Sequence, residues 1–139
     1  KSAAGMCKGR ADMEDFQMKF DSLEEQHEDP DSIYNYVKQV IRIRNQNPAI
    51  ARGTTTYLEQ YSGEQCFALT RSYEGSNLLL LGNTSAEAVS VDLTGLTVGG
   101  TTAEELVLLG ELYTGEETAE RAGTVVTLPA YSILILGEE

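Results

Sequence analysis

Adjacent carboxylates recur along this chain as Glu24-Glu25, Glu104-Glu105, Glu116-Glu117 and Glu138-Glu139. Glycoside hydrolysis needs two carboxylates facing each other across a cleft, about 5–10 Å apart, with one raised in pKa. Neighbours in an extended stretch point to opposite faces, so none of these pairs makes such a site by itself. They read as solvated edges and turns. The single histidine, His27, lies between Gln26 and Glu28. A nucleophilic triad would need a serine and a carboxylate beside it in space, and nothing in the sequence requires that, so His27 is expected to be exposed and non-catalytic. Cys7 and Cys66 have no histidine near them and form no metal-ligand pattern. Two free thiols are expected, with Cys66 buried at the start of a strand, while spacing alone leaves a disulfide between them open. No glycine-rich phosphate loop is present. Sugar rings stack on aromatic faces, and Tyr57, Tyr61, Tyr73, Tyr113 and Tyr131 are the available platforms, although such tyrosines more often fill the core or rim of a sandwich. The absence of tryptophan weakens a dedicated starch-binding reading.

The elements that carry these residues change character part-way along. Residues 1–28 have no clean period and read as loop-rich, with at most a short turn. Met6, Met13, Phe16, Met18 and Phe20 need burial that this segment does not offer. A helix is predicted over about 30–46. Asp29 would cap it, Pro30 would take the first helical position, and Asn45, Asn47 and Pro48 would end it. Ile33, Tyr36, Val37, Val40 and Ile41 form its apolar stripe, and Tyr34 and Ile43 widen that stripe to about half the circumference. This is more apolar surface than a free-standing surface helix carries. From Gly53 the period becomes strand-like, with strands predicted at 54–60, 66–73, 77–82, 88–93, 106–113, 124–128 and 132–136. Turn residues separate them, among them Glu74-Gly75-Ser76 and Gly99-Gly100. The expected fold class is therefore mainly β: an antiparallel β-sandwich of Greek-key type, preceded by one α-helix and a loop-rich N-terminal segment.

Composition narrows the partners. The chain has 139 residues, 41% hydrophobic and 23% charged, enough for one domain with its own core. No apolar run reaches bilayer-spanning length. The net charge is −12, and it is unevenly placed: residues 1–52 carry 8 basic against 9 acidic side chains, residues 53–139 carry 2 against 13. Such a tail repels phosphate backbones and anionic lipid, so neither nucleic acid nor a membrane is an expected partner. The N-terminus has no initiator methionine and no apolar signal core, and reads as a cut within a longer protein or after a removed leader.

Three stretches carry a resemblance to a known family. QHEDPDSIYNYVKQVIRIRNQNPAIARG, residues 26–53, resembles the last barrel helix of the α-amylase family, the family 13 glycoside hydrolases, and the exit after it. CFALTRSYEGSNLLLLGNTS, residues 66–85, resembles the first hairpin of that family's C-terminal β-domain. VVTLPAYSILIL, residues 125–136, is similar to its closing strand. With the sandwich pattern between them, the resemblance covers about residues 10–137. It implies that residues 1–52 are a remnant of a catalytic barrel and residues 53–139 the C-terminal β-sandwich domain. It also implies a bacterial, extracellular or cell-surface parent that cleaves α-1,4-glucans with retention, using an Asp nucleophile, a Glu acid/base and a second Asp. Those carboxylates belong upstream, so this chain is expected to hold no catalytic residue, metal or cofactor, and to be structural. Any calcium is left to the parent. Arg10 and Asp12 would lie in the loop before the last helix, at the cleft rim, as carbohydrate contacts. The expected partners are the parent's catalytic barrel and an α-glucan. The rival readings are a carbohydrate-binding β-sandwich module and a non-enzymatic interaction domain.

Overall fold

The computed structural model describes residues 21–138. The chain divides into two compact units, residues 1–39 and 40–139. In the first, a short helix α1 runs over Leu23–Glu28. Ser22 caps it through a reciprocal pair: its side chain accepts from the Glu25 amide, and the Glu25 carboxylate accepts from the Ser22 amide. The long helix α2 spans Ile33–Gln46. It begins three residues later than the sequence predicts, because Asp29 is used differently. The Asp29 carboxylate accepts from the Asp31 amide at 2.9 Å, closing a turn through Pro30. Asn35 then ties this turn down, its Nδ2 donating to the carbonyls of Asp29 at 2.7 Å and Gln26 at 3.0 Å. The Ser32 hydroxyl accepts from the Asn35 amide at 3.3 Å and takes over the capping role.

Helix α2 stops at Gln46, and Pro48 opens a further short helix, α3, over Pro48–Arg52. One proline does both jobs. It disfavours helical geometry at Asn47 and suits the first position of the next helix.

The rest of the second unit is mainly antiparallel β-structure, with short 3-10 turns at Glu59–Tyr61 and Ala103–Glu105. Strands β1 (Thr54–Tyr57), β2 (Cys66–Tyr73), β3 (Ser76–Asn83), β4 (Val89–Asp92), β5 (Thr97–Val98), β6 (Thr101–Thr102), β7 (Val107–Leu112), β8 (Glu120–Ala122), β9 (Val125–Leu128) and β10 (Ile133–Gly137) follow in order. They form a five-stranded sheet in the order β1-β2-β3-β10-β7, a three-stranded sheet β4-β9-β8 and a small β5-β6 hairpin. The β2–β3 turn is a two-residue loop with Glu74 at φ 48° and Gly75 at φ 86°, the twist that matches flanking strands. The chain leaves the five-stranded sheet after β3, returns to it for β7, leaves again for β8 and β9, and returns for β10, which lies between β3 and β7. The sequence reading finds the longer strands within a residue or three. It misses β5, β6 and β8, which are two or three residues long and carry no readable period.

One core fills the space between the two larger sheets: Ala68, Leu79, Leu81, Leu134 and Leu136 from one, Val91, Val126 and Leu128 from the other. Alternate residues of β3 and β10 face the opposite way, and Leu78 and Ile135 are buried there too. That explains the unbroken apolar run Leu78–Leu81, since a strand covered on both faces needs no polar alternation. On this second side Ile43 of α2 lies against Gly110 and α3 packs on β2 and β3. A Cβ at position 110 would come within 2.9 Å of the Ile43 side chain, so the glycine permits the approach. A bulge at Leu109 puts its side chain against Gly137.

Candidate functional site

Arg10 and Asp12, the residues expected at a cleft rim, lie outside the described residues, as does Cys7. Cys66 is a free thiol at the start of β2, partly rather than fully buried, packed at the margin of the core. His27 is exposed, its ring 5.4 Å from that of Tyr34.

Three of the paired carboxylates have local occupations, Glu138 accepting from the Thr101 hydroxyl at 2.8 Å. Glu25 and Glu105 each close a capping box, with Ser22 and Thr102. Hydrogen bonds from Thr102 hold the Glu105 carboxyl below its usual range. Asp92 is likewise held low, first by the Thr94 hydroxyl at 2.7 Å, then by the Thr94 amide at 2.9 Å and the Thr124 hydroxyl at 3.1 Å. Both shifts run opposite to what a glycosidase's proton donor requires. Among the described residues, no group of three or more His, Cys, Asp or Glu side chains is placed to hold a metal ion.

Two of the five tyrosine platforms present a large open face. Tyr57, on the edge strand β1, is 54% exposed, and Tyr131, at φ 48° in the turn before β10, is 52% exposed. The other three are partly covered. The Tyr61 hydroxyl donates to the Thr94 carbonyl at 3.2 Å. Tyr73 stacks near the Arg52 guanidinium, 5.9 Å from the ring centre. The Tyr113 hydroxyl donates to the Glu111 carboxylate at 2.8 Å and accepts from the Ala119 amide at 3.0 Å. Partial burial, more than the neighbouring carboxylate, pushes its pKa up. Open depressions mark the sandwich, two of them lined by described residues. One, about 320 Å³, has Leu93, Leu96 and Ala103 at its floor and threonines at its rim. The other, about 450 Å³, is lined by Glu116, Glu117, Glu120, Thr118 and Thr127. No aromatic side chain lines either.

Two polar residues organise the fold around these surfaces. Arg71 of β2 donates from Nε to the Ala49 carbonyl at 3.1 Å, from Nη2 to the Ile50 carbonyl at 2.8 Å, and from Nη1 to the Thr55 hydroxyl. It thereby adds a second donor to the Ala49 carbonyl, which already accepts from the Gly53 amide, supplies one to the Ile50 carbonyl near the helix end, and fastens α3 to the sheet. Asn83, buried at the end of β3, donates from Nδ2 to the carbonyls of Glu87 at 2.7 Å, Pro129 at 2.9 Å and Leu128 at 3.2 Å. Its Oδ1 accepts from the Ser85 amide and hydroxyl. The Ser132 hydroxyl donates to the Pro129 carbonyl at 2.7 Å. This network joins the ends of β3, β9 and β10, two of the places where the chain changes sheet.

The outstanding surface lies on α2. Ile33 is 68% exposed, Val37 46% and Ile41 51%, at four-residue spacing, within about 80° of one another around the helix. The expected apolar stripe thus exists, but its centre is open and the buried residue is Ile43 at its margin.

Among solved structures, Amy13B of Eubacterium rectale matches 96% of this chain at 38% identity with a TM-score of 0.82. This is the fold of the α-amylase family's C-terminal portion. An α-amylase from H. orenii matches 86% of the chain at 22% identity and TM-score 0.65. A variant of the trehalulose synthase MutB matches 82% at 27% identity and TM-score 0.64. The chain spans only 25%, 23% and 19% of these proteins' own lengths. No protein-family model and no curated protein matches it. Within the stretches that resemble the α-amylase family, Arg71 is the α3 fastener, and Asn83 and Ser132 form the buried network.

Proposed function

We propose that this chain is the C-terminal portion of an α-amylase-like glycoside hydrolase acting on α-1,4-glucans, and that its work is to cover and stabilise the catalytic barrel. Residues 1–52 are then a barrel remnant and 53–139 the β-domain. The observation that carries this reading is the open stripe Ile33, Val37 and Ile41. Three exposed aliphatic side chains in line on one helix are costly in water and are relieved by a packed neighbour. The related Eubacterium rectale protein has three quarters of its length beyond the matched part, which is ample for such a neighbour. The catalytic carboxylates, any calcium and an extracellular or cell-surface setting belong to the parent in this reading. Arg10 and Asp12 remain its proposed glucan contacts at the cleft rim.

The test is complementation. The Eubacterium rectale protein, truncated before the matching region, is mixed with this chain, and reducing ends released from soluble starch are measured. Activity restored by the chain, and lost with Val37→Glu, is the expected result. No gain in activity or stability of the truncated enzyme would overturn it. A second reading, a carbohydrate-binding surface, is favoured by the exposed rings of Tyr57 and Tyr131. Saturable amide shifts near those two residues on titration with maltoheptaose would support it.

A further inference from the structure

We infer that Asn83 is an acceptor for an N-linked glycan while the chain is unfolded and only then, so that folding and glycosylation of this residue exclude one another. Asn83-Thr84-Ser85 matches the acceptor pattern Asn-x-Ser/Thr, and no other asparagine of the chain does. Such acceptors ordinarily stand on surface loops. Here the asparagine is 3% exposed, and the hydroxyl that completes the pattern is engaged, the Ser85 Oγ lying 2.8 Å from the Asn83 Oδ1 and 2.9 Å from the Glu87 carbonyl.

The transfer needs the amide nitrogen. A bond forms between Nδ2 and the first carbon of the incoming sugar, and the bond from that carbon to a lipid diphosphate breaks. The diphosphate leaves with the electron pair, and Nδ2 gives up one proton. An amide nitrogen has two hydrogens, and in the folded chain Asn83 shares them among the carbonyls of Glu87, Leu128 and Pro129. A glycosylated nitrogen keeps one hydrogen, so buried carbonyls lose their donor, and the sugar ring would have to displace the packed ends of β3, β9 and β10. The order of synthesis opens the window. Leu128 and Pro129 stand 45 and 46 residues after Asn83. A chain growing at about 5–20 residues per second therefore leaves the side chain without these partners for several seconds. Ser132, whose carbonyl accepts from the Asn83 backbone amide at 2.9 Å, arrives later still.

The test is synthesis of the full chain, behind a cleavable leader, into microsomes that hold an oligosaccharyl transferase and its lipid-linked donor, with and without a competing Asn-Tyr-Thr acceptor peptide. Part of the product is expected to gain one glycan, seen as a mass increase that Asn83→Gln abolishes. Trypsin then reports folding. Beyond Arg52 it has only Arg71 and Arg121 to cut at, and both side chains hold backbone carbonyls in the folded chain. The glycan-free product should keep this part uncut, while the glycosylated product is cut at both. Purified chain, folded before it meets the transferase, should be modified about a thousandfold more slowly than the growing chain, in proportion to its opened fraction. A product that gains no glycan during synthesis, a glycosylated product as resistant as the glycan-free one, or folded chain modified at the growing chain's rate overturns the inference.

Discussion

Asn83 shows how much of the fold one buried amide holds. Its Nδ2 is aimed at three backbone carbonyls and its Oδ1 receives Ser85, in a place where water is scarce. Asn83→Ala leaves those carbonyls unpaired, and a loss of about 2–4 kcal/mol is expected from urea unfolding. A loss under about 1 kcal/mol would mean water replaces the amide without difficulty. Asp92 makes a second case, on the surface. Its carboxyl is held below the ordinary value of 3.8 by Thr94 and Thr124. A folded-state pKa below the unfolded one contributes stability that is present above the unfolded value and is lost as pH falls through the folded one. Asp92→Asn should therefore lower the Tm at pH 7, and the gap to the parent should close as pH drops from 5 towards 2. A gap that is constant with pH would place the effect in the neutral hydrogen bonds. Neither role is legible from sequence: an Asn before a turn and an Asp before a Thr look like ordinary loop residues until the carbonyls they meet are known.

At the scale of elements, the sequence reading is strongest where a period runs for several residues. The eight residues of β2 alternate between the core at Ala68 and the helix-bearing side at Arg71, and the reading has their bounds. It is weakest at the N-terminal side of α2. Asp29-Pro30 looks like a helix start, yet Asn35 reaches back to the carbonyls of Gln26 and Asp29 and stabilises a turn instead. The Ser22-x-x-Glu25 box was present in the sequence and would have announced α1. The contact between α2 and the sheet depends on Gly110. Gly110→Val should push against Ile43 and destabilise the unit by about 1–3 kcal/mol, read by thermal unfolding. An unchanged midpoint would show that α2 can slide away at no cost.

For the whole molecule, a sandwich core and an open helix stripe are what the proposed supporting role draws on. Pure chain is expected to release no reducing ends from soluble starch, and measurable release would contradict that. The candidate rim residues Arg10 and Asp12 lie outside the described residues, so the site they belong to is carried by the resemblance alone. The sequence by itself determined the mainly β class, the helix before it, the acidic tail and the α-amylase resemblance, because periodicity, turn residues and motif spacing are local and repeat along the chain. Only the tertiary structure decided that β3 is covered on both faces, that Arg71 fastens α3, that Asn83 ties the ends of β3, β9 and β10, and that Ile33, Val37 and Ile41 stay uncovered. Each of these depends on which residue, distant in sequence, stands opposite, and burial and hydrogen-bond pairing are properties of that opposition rather than of any stretch of chain.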